Sequence, residues 1–172
     1  ENAVRRFLNM LCDNSASTNY PYSTQEYRDN FRHSLWMLPG VKEARALSDM
    51  LREHPVFGSG AFSIVNVAGD GDEEKFDSDA LKAVRKAISD KPDEAYSITL
   101  SCGRLTTGVS VKEWTAVFML SGSATTSASN YLQTIFRVQT PGCIGARQKT
   151  DCYVFDFAPD RTLSMVAEAA RI

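Results

Sequence analysis

Short β-rich apolar runs alternate with stretches whose apolar residues recur at helical spacing, and this alternation constrains the fold more than anything else in the chain. Residues 34–38, 61–68, 96–101, 115–120 and 152–157 read as strands. Between them Val41, Ala44, Leu47 and Leu51 define one helix face, and Leu81, Val84 and Ile88 a second, with Asp77 or Ser78 placed to cap it. A third helix spans about 127–139 and stops before Pro141, because the residue preceding proline resists the α conformation. A last helix follows Asp160 and carries Leu163, Val166 and Ala170. The run 115–120 (TAVFML) is nearly all apolar, as a strand covered on both faces should be. Repeated strand–helix alternation predicts an α/β fold, a parallel sheet flanked by helices and joined by right-handed crossovers. In such sheets chemistry gathers at the carboxyl ends of the strands.

Ahead of this pattern, Val4, Phe7, Leu8 and Leu11 predict an amphipathic helix over 2–12. Residues 13–30, rich in Asn, Ser, Thr and Tyr and containing Pro21, read as a connecting segment lying over the surface. The expected organisation is therefore an N-terminal helix and connector over 1–30 and a core domain over 31–172. With 43% hydrophobic and 23% charged residues among 172, the chain can bury a real core.

Several classes are disfavoured. No apolar run approaches the roughly 18 residues that span a bilayer, and Glu1-Asn2-Ala3-Val4-Arg5-Arg6 lacks a signal-peptide layout, while the missing initiator Met points to a trimmed N-terminus. A soluble, cytoplasmic protein is expected. Cys12, Cys102, Cys143 and Cys152 form no C-x-x-C pair, and Cys102 and Cys152 read as buried thiols suited to a reducing compartment. No metal site is expected. The net charge of −2 and pI near 5.7 lack the basic excess of a free-standing nucleic-acid binder, so any strand contact must be local or come mostly from a partner domain.

There is no phosphate-cradling G-x-x-x-x-G-K-[ST] loop and no G-x-S-x-G. Gly58-Ser59-Gly60 precedes a strand instead of following one, and reads as a turn. His33 and His54 stand alone and read as surface or capping residues. The acidic stretch 69–79 has Lys75 where a calcium loop needs its bending glycine, and reads as a solvated loop.

Two segments carry more. Residues 101–111 (SCGRLTTGVSV) leave one strand and lead to another through two glycines and two threonines. Glycine permits close backbone approach, and threonine hydroxyls with amide N–H groups can donate to phosphate oxygens; a tight strand connection would need small residues as well. The helix 129–139 (SNYLQTIFRVQ) sets Leu132, Ile135 and Phe136 on an apolar side and Asn130, Gln133 and Arg137 on the opposite one. Such a stripe is either a wet helix face or a guanidinium presented to a phosphate held by another domain, a task arginine suits because it stays charged and forks onto two oxygens.

In this order, Thr106-Thr107-Gly108-Val109-Ser110-Val111 resembles motif V of superfamily-2 helicases, and Gln133-Thr134-Ile135-Phe136-Arg137 resembles the Q-x-x-x-R helix of motif VI. Residues 35–44 (LWMLPGVKEA) sit where motif IV belongs. Over 31–172 the chain is similar to the second RecA-like domain of these helicases, in wording nearest the helicase-like subunits of DNA restriction-modification systems. The resemblance implies an ATP-dependent DNA helicase or translocase domain. Arg137 would be the arginine finger that stabilises charge on the γ-phosphoryl; Gln133 would sense or orient that phosphate. Thr106, Thr107 and Gly108 would hold the nucleic-acid backbone, and Gly40 and Val41 would offer helix N-terminal amides to a strand phosphate. ATP and Mg2+ would be bound mainly by an N-terminal RecA-like domain, with nuclease or methyltransferase domains as further partners and no membrane. Thr140 stands where many members carry a second arginine, so Arg137 acts alone or Arg147 is brought in by the flexible loop 141–149. Ser110 replaces a usual acidic residue. The rival expectation is a degenerate RecA-like domain that docks partners or DNA without an ATPase role. A small-molecule enzyme would need a pocket of convergent titratable groups.

Overall fold

In the computed structural model, residues 2–15, 20–69, 73–102, 111–120, 128–158 and 167 are described. Their elements are α1 (Asn2–Leu11), α2 (Gln25–Asn30), β1 (His33–Met37), α3 (Val41–Glu53), β2 (Phe62–Asn66), α4 (Glu73–Ile88), β3 (Tyr96–Ser101), β4 (Ala116–Met119), α5 (Ala128–Val138), β5 (Cys143–Ile144), β6 (Arg147–Gln148) and β7 (Tyr153–Asp156). Five strands form one parallel sheet in the order β2-β3-β1-β4-β7, and β5 and β6 form a separate antiparallel hairpin. All residues of β1 and β4 are buried, because helices cover both faces of the sheet.

Side chains alternate along each strand, which divides the core into two layers. Trp36, Ile98, Leu100 and Phe118 pack with Leu8 and Leu11 of α1 and with Ala44, Leu47 and Leu51 of α3. Leu35, Met37, Val117 and Met119 pack on the opposite face with Ala80, Val84 and Ile88 of α4 and with Tyr131 and Val138 of α5. Each fully buried Leu or Ile contributes roughly 1.5–3 kcal/mol relative to exposure. The expected strands, the parallel sheet and the three helices over 41–51, 81–88 and 127–139 are all present. The last expected helix (Leu163, Val166, Ala170) lies outside the described residues, apart from a helical Ala167.

Other expectations are corrected. The stretch 13–30 does not simply lie over the surface, since it contains α2 and the fully buried Tyr22. The Tyr22 ring stacks on Phe118 at 5.7 Å and meets Phe57 edge-on at 5.1 Å. Its hydroxyl lies 3.1 Å from Ser34 Oγ, which also accepts from Trp36 Nε1 at 3.0 Å. Tyr22 thus belongs to one aromatic core with Phe31, Trp36 and Phe118. Neither Asp77 nor Ser78 caps α4, because that helix already begins at Glu73, inside the acidic stretch read as a loop.

The loop 141–149 is a pinned hairpin instead of a flexible one. Lys149 Nζ donates to the carbonyls of Trp114 at 2.7 Å, Thr140 at 3.0 Å and Lys112 at 3.3 Å. Burial there lowers the Lys149 pKa. His54 does cap the end of α3, its Nδ1 accepting from the Val56 amide at 3.1 Å. His33, by contrast, is wholly buried, so a surface role is excluded.

Candidate nucleotide and nucleic-acid interface

The strands end together on one edge. There Leu38 N–H donates to the Ser101 carbonyl at 2.8 Å and Leu120 N–H to the Met37 carbonyl at 2.9 Å, so the segments after β1, β3 and β4 leave the sheet side by side. β1 connects onward through α3 on one face and β4 through α5 on the other, which makes the β1/β4 boundary the switch point of the sheet. An open groove of about 480 Å3 lies on the α1/α3 side of this edge, lined by apolar residues including Phe7, Leu38, Met50 and Phe157. Among the described residues Glu43 is its only ionisable lining residue, so these do not bring together the convergent titratable groups a small-molecule enzyme would need.

Gly40 and Val41 stand at the N-terminus of α3, Gly40 as its N-cap in an extended conformation. No side chain makes the N-cap hydrogen bond. The Glu43 carboxylate nevertheless folds back over this end, so close that a Cβ on Gly40 would meet its Oε2 at 2.6 Å. A strand phosphate arriving at these amides would have to share the helix end with a resident carboxylate. Lys42 and Arg45 are exposed beside it and add two cations that the motif reading missed. Their signal in the sequence was present: two basic residues three apart, directly after the Pro-Gly turn.

Thr106, Thr107 and Gly108 lie outside the described residues. So does Ser110.

α5 begins beyond the carboxyl end of β4, and β7 runs parallel to β4, so the helix must return toward the amino ends of the strands. Arg137 is in its last turn, about 13 Å along the axis from the first residue. Any body that met Arg137 would therefore pack along α5 instead of sitting over the strand tips alone. The buried side of the helix is Tyr131, Thr134 and Val138, with Ile135 half-buried. This corrects the expected apolar side: Leu132 is only half-buried, and Phe136 is 58% exposed. Gln133 is exposed and Arg137 half-buried, and with Phe136 they occupy positions i, i+3 and i+4 of one outward face. Desolvation lowers the Arg137 pKa from its ordinary value, yet a guanidinium has so high a pKa that it remains a cation near neutrality. The Asn130 side chain lies outside the described residues.

Arg147, exposed in the hairpin, lines a polar cleft with Asp29, Arg32, Asp93 and Thr115 next to the amino ends of β1, β3, β4 and β7. Among the described residues no group of His, Cys, Asp and Glu could hold a metal ion, and no helix is long and apolar enough to cross a membrane. None of the four cysteines forms a disulfide, and Cys102 and Cys152 are half-buried instead of buried.

Among solved structures the chain is similar to domain 2 of the DEAD-box helicase Mss116p bound to an RNA duplex, with a TM-score of 0.56 and 17% identity, over 97% of this chain and 52% of that one. The shared architecture is a RecA-like parallel sheet flanked by helices. In sequence the chain is 32% identical over 175 residues to a Mycoplasma pneumoniae protein named "Putative type II restriction enzyme and methyltransferase RM.MpnORF110P C-terminus". The match takes in 99% of this chain but only 24% of that relative, so the chain spans about a quarter of its length. No family model matches. The first likeness shows the fold, and the second a sequence similarity to one part of a longer protein.

Proposed function

We propose that the chain is the second motor domain of an ATP-dependent DNA translocase or helicase, part of a restriction-modification enzyme. The observation that carries this reading is the outward face of α5, where Gln133 and Arg137 stand one helical turn apart on a RecA-like domain. ATP and Mg2+ are held mainly by a companion RecA-like domain. Bound Mg2+ supplies charge neutralisation on the phosphates there; this chain supplies a guanidinium and a carboxamide from the side. Phosphoryl transfer is governed by positioning and electrostatics, so a fixed cation that meets the γ-phosphoryl lowers the barrier without covalent chemistry. Gly40, Val41, Lys42 and Arg45 contact a DNA strand at the carboxyl edge, and Thr106, Thr107 and Gly108 hold its backbone alongside.

Arg137→Ala in the complete protein tests the assignment. ATP turnover should fall by roughly 10³–10⁵, while the 172-residue chain still folds. Arg137→Lys should restore little, because an ammonium cannot fork onto two oxygens. Turnover near wild type in Arg137→Ala removes the finger role.

A second reading, a docking or DNA-binding module without an ATPase role, is favoured by two features. Thr140 replaces a second arginine, and the Glu43 carboxylate occupies the α3 N-terminus.

A further inference from the structure

Phe136 is the most exposed large hydrophobic residue among those described, at 58%. Its ring is not a stray end of the core: Tyr131, Thr134 and Val138 supply the buried side of α5, and Phe136 falls on the face that carries Gln133 and Arg137. Val154, 38% exposed, belongs to the edge strand β7, and it turns to the same side of the sheet because its neighbour Phe155 packs against Phe118 on the other. An aromatic centre with a polar amide and a cation at its margin has the make-up of a binding hot spot, in which one ring is desolvated and polar groups form the rim.

We infer that Phe136 is the apolar anchor through which this domain closes against the companion nucleotide-binding RecA-like domain. The inference rests on the motor reading above. That occupant is favoured because Phe136 is continuous with Gln133 and Arg137, so whatever meets those two must also cover the ring. Both similar proteins also carry further polypeptide beyond the matched domain, since the chain covers 52% of one and 24% of the other. A DNA strand fits this face less well, because Arg137 is the only cation in its α5 segment.

The test uses the complete protein with Phe136→Ser and Phe136→Leu. Compaction on adding a non-hydrolysable ATP analogue is followed by solution scattering, together with KM for ATP and affinity for DNA. Phe136→Ser should raise KM about ten-fold and prevent compaction at analogue concentrations that saturate the wild type, with kcat at saturating ATP little changed. Phe136→Leu should stay within about three-fold of wild type, since an aliphatic side chain still fills an apolar socket. Wild-type KM and compaction in Phe136→Ser would overturn the inference. So would a loss of DNA affinity with KM unchanged, which would make the ring a base-stacking contact. The ring is exposed, so a melting curve of the isolated chain should not move. The two readings fail separately: normal turnover in Arg137→Ala with blocked compaction in Phe136→Ser removes the finger and keeps the anchor.

Discussion

His33 sits in the first register of the sheet with both ring nitrogens engaged. Nε2 lies 2.7 Å from the Pro92 carbonyl, which can only accept, so Nε2 carries the proton. Nδ1, 2.8 Å from Ser97 Oγ, is then the acceptor in the neutral ring. Burial lowers the His33 pKa, outweighing the Pro92 bond and the Glu113 charge that raise it. A depressed folded pKa means that the unfolded chain takes up the proton first. Its stabilising contribution is complete above the unfolded value of about 6.5 and is lost as pH falls through the folded value. Melting temperature should therefore fall between neutral pH and mildly acidic pH, and His33→Gln should flatten that slope; an unchanged slope would place the titration elsewhere. Tyr22→Phe removes one hydroxyl but leaves Ser34 its bond from Trp36, so urea denaturation should show a loss of only about 1 kcal/mol. Tyr22→Ala, which empties the middle of the aromatic cluster, should cost about 3–5 kcal/mol.

Among the elements, those with strong periodicity were legible from residues alone: β1, β3 and β4 as apolar runs, α3 and α4 as stripes. Tyr22 was not, because a tyrosine among Asn, Ser and Pro looks like loop chemistry, and its burial depends on aromatic partners far along the chain. The buried side of α5 was misassigned for a related reason. Leu132, Ile135 and Phe136 outrank Tyr131 and Thr134 in hydrophobicity, yet Tyr131 and Thr134 face the sheet. The β5–β6 hairpin escaped notice because its anchor is one lysine bonded to three carbonyls, which no local pattern announces. Lys149→Met should speed amide exchange in residues 143–148 and cost on the order of 2–3 kcal/mol. At the start of α3, Lys42→Ala should lower DNA affinity and reduce the salt slope by about one. Glu43→Gln should raise that affinity, since it removes a negative charge from the helix end that phosphate would use. Unaltered binding in both variants would put the strand elsewhere.

At the scale of the whole molecule, the sheet order β2-β3-β1-β4-β7 brings the ends of β1 and β3 together and sends α5 back along the side. On the proposed reading, one domain offers a strand-binding edge and a nucleotide-facing flank at once. Motif resemblance pointed to both regions, and the expected helix end before Pro141 already set Arg137 in the last turn, but the sequence reading put Phe136 on the buried side when it faces outward. On the proposed reading, the domain needs a second body to complete its site. The most direct measurement is ATP hydrolysis, with and without DNA, by the complete protein and by the 172-residue chain alone. DNA-stimulated turnover in the complete protein and none in the chain is the predicted result; turnover by the isolated chain, or its absence from the complete protein under both conditions, would contradict it.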